Sequence, residues 1–374
     1  MEKTQRSAPS LTTYEKWMRA EGVPIIEAAG GIEDVKEVER RPWARTGGKG
    51  AFIYLQGMKE GGINGMYVAE IPPGKSLDPE KHLYEEIVHV LKGQGATEIW
   101  QEDRPKRSFE WGEGSLFSPP LNTWHRLYNV GREPAIFIAV TTAPIVMDLF
   151  HNPDFAFEGD YVFKDRYNGQ EDYFRVGEKI DPGPRESVIW ETNFIPDVSA
   201  ALVDTKDLGK GEGVGIMGFD MADNILCGHI SEWPAGVYHK AHYHGPGAIL
   251  LGLKSQGYVL LWPKGLGTTP FKDGRGDQVI KINWKEGSVY SPGDGWFHQH
   301  FNTGREPARH LAFHRGYAKH KIGFTGRGEK GYYVSVKKGG FLIEYEDEDP
   351  RIRRDFEAAL RESGVPCRMS PAVG

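Results

Sequence analysis

The chain repeats itself, and the repeat leaves few architectures open. Asn129-Val-Gly-Arg-Glu-Pro-Ala135 returns as Asn302-Thr-Gly-Arg-Glu-Pro-Ala308, an offset of 173 residues. Glu113-Gly-Ser-Leu-Phe-Ser-Pro119 returns as Glu286-Gly-Ser-Val-Tyr-Ser-Pro292 at the same offset of 173. Leu91-Lys-Gly-Gln-Gly95 returns as Leu253-Lys-Ser-Gln-Gly257 at an offset of 162. Repeated blocks in one order mean two copies of one folding unit. The offsets differ by 11 residues, so the second copy carries an insertion. The Gly-rich stretch Lys264 to Gly276 is its expected place, as a hairpin loop.

Between the blocks, short apolar runs alternate with turns. Gly65 to Ile71, Ala135 to Val140 and Tyr258 to Trp262 read as strands. The 48 Gly and 24 Pro among 374 residues add many turns, so the expected class is all-β. Only the ends read as helical. Thr12 to Ala20 is one candidate. Asp349 to Arg361 is the other, with Asp349 as N-cap, Pro350 at the first helical position and Gly364 beyond the end. The expected division is 1–47 as an N-terminal arm and helix, 48–150 as a first barrel, and 151–211 as a connector packed across both barrels. A second barrel over 212–345 and a C-terminal helix and tail over 346–374 follow.

A net charge of −6 gives no basic field for nucleic acid or an anionic membrane. The N-terminus has no apolar signal core, and no stretch is apolar enough to span a bilayer. Cys227 and Cys367 form no disulfide framework, so a cytoplasmic protein is expected. Lys49, Lys210 and the run Arg351-Ile-Arg-Arg354 read as solvated faces rather than anion sites.

Nine of the 13 histidines lie between His229 and His320. His242 and His244 have the spacing that puts two imidazoles on one face of a β-strand. His298 follows the turn-like Ser291-Pro-Gly-Asp-Gly295 and starts another strand. Three neutral imidazoles from two strands make a site for a divalent transition metal with open positions. His300, two residues past His298, faces the same interior and suits a base that takes a substrate proton. His239, His310, His314 and Trp296 are candidates for the substrate pocket, or are structural. Trp296, Trp124, Trp262 and Trp100 read as matched core residues of the two copies.

The repeated unit resembles the cupin superfamily. Its first motif has two histidines two apart, then a glutamate and a glycine; its second has a proline, a histidine and an asparagine. The first copy supplies His82, Glu86, Gly93, Pro120, His125 and Asn129, with Glu80 where the first histidine stands. The second supplies His242, His244, His298 and Asn302, with Ala248 at the glutamate position. The resemblance implies two tandem jelly-roll barrels with short flanking helices.

The second copy is similar to gentisate 1,2-dioxygenase and its relatives, bicupins with a three-histidine iron site and alanine at the glutamate position. Those enzymes keep iron in the N-terminal barrel, whereas the matching pattern here is C-terminal. They place an arginine, implied to hold the substrate carboxylate, where this chain has Leu250. The resemblance implies an Fe(II) dioxygenase with O2 as co-substrate, cleaving a C–C bond of a hydroxylated aromatic or keto-enol acid. Mn, Ni or Zn are possible substitutes, and a homodimer or homotetramer is the implied assembly. His82, Glu86 and His125, with Glu80 as a fourth donor, either hold a second metal or belong to a vestigial barrel kept for packing. Two alternatives stand beside the dioxygenase: a manganese bicupin of the oxalate decarboxylase or isomerase kind, and a non-catalytic metal- or ligand-binding bicupin.

Overall fold

In the computed structural model, the described residues are 10–181, 183, 186–204, 208–245, 247–315, 320 and 333–371. Residues 1–9 of the expected arm, six connector positions, and 246, 316–319 and 321–332 of the second barrel lie outside them.

The two copies build two β-barrels of one topology. In the first, strand Ala135–Thr141 lies between Gly65–Ile71 and Glu86–Lys92, and Leu116–Phe117 continues the sheet. In the second, Ala308–Arg315 lies between Leu226–Trp233 and Ile249–Lys254, and Val289–Tyr290 continues it. Each eight-stranded sheet faces a three-stranded one. These are Trp124–Asn129, Gly95–Trp100 and Arg107–Trp111 in the first barrel, and Ile280–Lys285, Gln256–Pro263 and Trp296–Asn302 in the second. The extra residues fall between Gln256–Pro263 and Ile280–Lys285, an antiparallel pair. They form a loop with two 3-10 turns. Its Gly267 carbonyl accepts the Trp262 indole N–H at 3.0 Å.

The repeated blocks have physical reasons. Asn129 Nδ2 donates to the Glu133 carbonyl at 2.7 Å, and its Oδ1 accepts from Gly131 N at 2.8 Å. Asn302 makes the same pair with Glu306 and Gly304 at 2.9 and 3.0 Å. The asparagine side chain therefore mimics a backbone turn and closes the loop before the next strand. A Cβ on Gly95 would sit 2.0 Å from the Tyr128 carbonyl, and one on Gly257 1.8 Å from that of Phe301. Only glycine lets these strands approach so closely.

Each barrel borrows an edge strand from outside its own repeat. Phe194–Ile195 pairs with Leu116–Phe117, and Gly31–Ile32 pairs with Val289–Tyr290. The two additions are held alike. Ser115 Oγ donates to the Pro196 carbonyl at 2.8 Å, and Ser288 Oγ to that of Glu33 at 2.6 Å. Val198 N donates to Gly114 O at 2.9 Å, and Val35 N to Gly287 O at 2.8 Å. The connector also gives Glu178–Ile180 and Val188–Glu191 to the second sheet. A buried carboxylate joins the barrels: Glu85 accepts from the backbone N–H groups of Ile225 and Leu226 and from Arg166.

The helices at the two ends form as expected. Thr12 caps Thr13–Ala20 in a capping box with Glu15. Asp349 caps Pro350–Ser363, which ends at left-handed Gly364. That helix lays Ile352, Phe356 and Leu360 against Tyr238 and Phe301 on the outer side of the second barrel. Helices also occur within the chain, against expectation: Gln56–Gly61, Ala143–Phe150 and Pro153–Glu158. Ala143–Phe150 follows straight on from the strand Ala135–Thr141, so its apolar run is easily mistaken for more strand. Pro144 near its N-terminus favours the helix instead. Among the described residues, no helix is long and apolar enough to cross a membrane.

Candidate metal centres

The donor atoms of His242, His244 and His298 lie within 4.8 Å of one another. His242 and His244 stand on an extended loop rather than in a regular strand, a correction to the strand reading. An isolated bridge ties His242 to His298. Extended backbone still alternates its side chains, so both rings reach the same interior. His298 and His300 lie on strand Trp296–Asn302.

Backbone carbonyls orient the three rings. His242 Nδ1 donates to Lys240 O at 3.1 Å, His244 Nδ1 to Gly245 O at 2.9 Å, and His298 Nδ1 to Trp296 O at 3.1 Å. A carbonyl can only accept, so each Nδ1 carries the proton and each Nε2 presents a lone pair, which at His242 accepts from the Lys210 ammonium at 3.1 Å. Burial, with the charges of Lys210 and the neighbouring imidazoles, pushes His242 well below the usual histidine pKa. Burial and His244 do the same to His298. Neutral imidazoles are the ligating form, so this donor set suits a divalent transition metal.

His300 sits beside this group, in a buried chain of rings. The Tyr290 hydroxyl lies 2.9 Å from His300 Nδ1 and 3.0 Å from His310 Nδ1. His239 meets His300 at 5.2 Å between centroids, and Trp233 packs on His239 at 4.4 Å. The Nε2 atoms of His239 and His310 are buried without a hydrogen-bond partner. His314 is not part of this group; it meets Cys227 Sγ at 3.4 Å and the ring of His229. Trp296 is half-buried at the start of its strand and is not the counterpart of Trp124. Trp124 pairs with Trp100, whereas Trp262 pairs with Phe297, which takes the matching place. The stacked Trp100 and Trp124 are half-buried on the face opposite His125.

The first barrel gathers His82, Glu86 and His125, again with donor atoms within 4.8 Å of one another. His82 Nδ1 donates to Tyr84 O at 2.7 Å and His125 Nδ1 to Thr123 O at 3.0 Å. Their Nε2 atoms are buried with no hydrogen-bond partner. They face Glu86 Oε2 at 3.6 and 3.8 Å. Glu80 Oε1 stands 3.9 Å from His125 Nε2, and Arg45 binds the other oxygen of Glu80. Tyr67 donates to Glu86 at 2.6 Å. Burial would raise the Glu86 pKa, but the His82 and His125 imidazoles and Tyr67 outweigh it and hold it at about 2. Tyr84 stacks flat on the His82 ring at 3.8 Å. Two buried imidazole nitrogens without a hydrogen-bond partner, converging on one carboxylate, fit a metal, because buried polar atoms need a partner.

Sequence reasoning missed two groups. Lys210, read as a solvated face, is 4% exposed, and its Nζ lies 3.1 Å from His242 Nε2. It lies outside every repeated block, so no motif marked it. Tyr290 stands where the first copy has Phe117, and that added hydroxyl was the available signal.

Residues 67–141, which include His82, Glu86 and His125, match the family model of the cupin domain. The second barrel repeats this topology strand for strand, so the chain is built as two tandem cupin barrels. Similar solved structures include two Bacillus subtilis oxalate decarboxylase variants. One is 13% identical over 79% of each chain, with a TM-score of 0.47. The other has the same identity and score over 79% of this chain and 80% of that chain. A structure concerning the substrate binding mode and a reaction specificity switch in oxalate decarboxylase has a TM-score of 0.48, with 13% identity over the same shares. No curated protein matches the sequence.

Proposed function

We propose that the chain is a divalent-metal enzyme of the two-barrel cupin type that acts on a small organic acid. The observation that carries this is the pair of orphaned nitrogens, His82 Nε2 and His125 Nε2, converging on ionised Glu86. A mixed imidazole and carboxylate set suits Mn(II), which favours oxygen donors. This supports a manganese enzyme of the oxalate decarboxylase or isomerase kind. Bound there, the ion supplies Lewis acidity and a route for electrons. The residues fix the rest: Tyr67 holds Glu86, Arg45 holds Glu80, and the carbonyls of Tyr84 and Thr123 fix the imidazole tautomers.

A second reading is favoured by the carboxylate-free set His242, His244 and His298. Here Fe(II), with O2 as co-substrate, serves ring or keto-enol C–C cleavage. His300 is then the group that accepts a substrate hydroxyl proton, steadied by Tyr290. Metal content and gas exchange separate the two readings. Manganese in the purified protein, with CO2 released from oxalate and no stoichiometric oxygen uptake, is the expected result. Iron, with one O2 consumed per hydroxylated aromatic or β-diketone, turns the assignment to the dioxygenase. Protein that binds neither metal defeats both.

A further inference from the structure

Four interior positions differ in kind between the two barrels. The first fills them with Leu77, Phe117, Leu127 and Phe137, all buried and apolar. At the matching places the second has His239, Tyr290, His300 and His310, equally buried. The register fixes the matches. Leu77 N donates to the Leu127 carbonyl and His239 N to that of His300, both at 2.9 Å. Phe117 lies opposite Val88 and Tyr290 opposite Leu250, and these partners face Ala139 and Ala312. Phe137 and His310 stand two residues before those alanines. The first barrel closes without a polar group at any of the four. Burying one costs free energy unless it finds a partner, so the second copy carries a cost that the fold does not require.

Three of the four make one chain. The Tyr290 hydroxyl lies 2.9 Å from His300 Nδ1 and 3.0 Å from His310 Nδ1. A hydroxyl has one proton to give. It donates to one of these nitrogens and accepts from an N–H on the other. One Nδ1 is therefore bare and the other protonated. Burial holds the His310 pKa at about 3, so that ring is neutral and shares one proton between two nitrogens. When Tyr290 donates to His310, the His310 proton is on Nε2 and His300 carries Nδ1–H. When His310 keeps its proton on Nδ1, the hydroxyl turns to His300 Nδ1 instead.

We propose that Tyr290 locks His300 and His310 into opposite tautomers, which makes His310 a positioning residue that decides which nitrogen of His300 is bare. The functional consequence rests on the second reading, in which His300 takes a substrate hydroxyl proton. That role needs a bare Nε2 on His300. His300 then carries Nδ1–H, Tyr290 donates to His310 Nδ1, and His310 carries Nε2–H. With phenylalanine at position 310, the one acceptor left to the hydroxyl among its described partners is His300 Nδ1. His300 then turns to its Nε2–H form, a donor where an acceptor is needed.

The test is nitrogen NMR on full-length protein with isotope-labelled histidine, supplied with diamagnetic Zn(II). Proton–nitrogen correlations within each ring distinguish Nδ1–H from Nε2–H. His300→Ala and His310→Phe assign the two rings by the signals they remove. Wild type should show His300 as Nδ1–H and His310 as Nε2–H. His310→Phe, which carries the residue of the first barrel, should invert His300 to Nε2–H. Adding His310→Phe to Tyr290→Phe should leave His300 unmoved, because the coupling hydroxyl is gone. The same tautomer on both rings in wild type, or a His300 that stays Nδ1–H in His310→Phe, would overturn the proposal. The wild-type spectrum decides this alone where the variant does not fold. Opposite tautomers with Nε2–H on His300 would uphold the coupling and overturn the reading of His300 as the proton acceptor.

Discussion

Glu80 and His242 occupy one position in two barrels: each makes a single antiparallel bridge, Glu80 to His125 and His242 to His298. A carboxylate in one copy and an imidazole in the other give two different candidate donor sets on one scaffold.

Removing ligands should separate the centres. His244→Ala should lose one equivalent of metal while the circular dichroism is retained, because that half-buried ring stands on a loop outside the regular strands. Glu86→Gln should lose the other equivalent, since an amide oxygen is a poorer donor than an ionised carboxylate. Metal analysis of the two purified variants checks this. Unchanged content in either shows that its ligands are misassigned.

His298 and His300 should part company. His298→Ala is expected to lose metal and turnover at the second centre together. His300→Ala should keep the metal and lose about 10²–10⁴ in rate, the usual worth of a positioned proton acceptor. Tyr290→Phe should fall between wild type and His300→Ala, because it keeps the His300 ring and removes the hydroxyl that meets His300 Nδ1 and His310 Nδ1. Steady-state rates on metal-replete protein decide it, and a loss below about tenfold in His300→Ala rejects the base.

Glu85 should be costly to remove. Its carboxylate accepts two backbone N–H groups at the start of a second-barrel strand and is paired with Arg166. Glu85→Ala leaves those donors buried and should cost about 3–5 kcal/mol, the scale for breaking a buried charged pair. Urea denaturation measures it, and a loss below about 1 kcal/mol, the worth of an exposed pair, would show that solvent replaces the contact.

Stability should fall as pH rises from about 4.5 to about 7 through Glu348. Burial raises its pKa from 4.5 to about 7, against the hydrogen bonds from Tyr238 and Gln299. The folded state then binds more protons than the unfolded state across that window. The contribution is complete below the unfolded pKa and is lost as pH rises through the folded one. Its size is on the order of 3 kcal/mol. Glu348→Gln should flatten this part of the pH–stability curve, and an equal slope in both proteins would assign the effect elsewhere.

The repeat made the two barrels and the insertion legible; His242, His244 and His298 were marked by their spacing, which places side chains on one face of extended backbone, and His82, Glu86 and His125 by their likeness to the cupin motifs. Asn129 and Asn302 could be read as matching, though not as the turn closers they are. Lys210 could not be found this way: a lysine in a loop between barrels looks like any surface lysine until the fold turns it inward. The slip over Trp296 came from aligning residue type instead of register, which would have chosen Phe297. The helix Ala143–Phe150 was hidden by its apolar composition.

The exchanged edge strands have a consequence for how the molecule comes apart. Gly31–Ile32 completes the second barrel, yet it precedes the first; Phe194–Ile195 completes the first, yet it follows it. A cut in the connector would therefore not yield two independent halves. A fragment beginning at residue 212 would present the backbone of Val289–Tyr290 as an open edge, ready to recruit any extended chain. The two halves are laced, and heating should melt them in one calorimetric transition. Supplying residues 24–40 as a peptide in trans should restore order to the isolated second half.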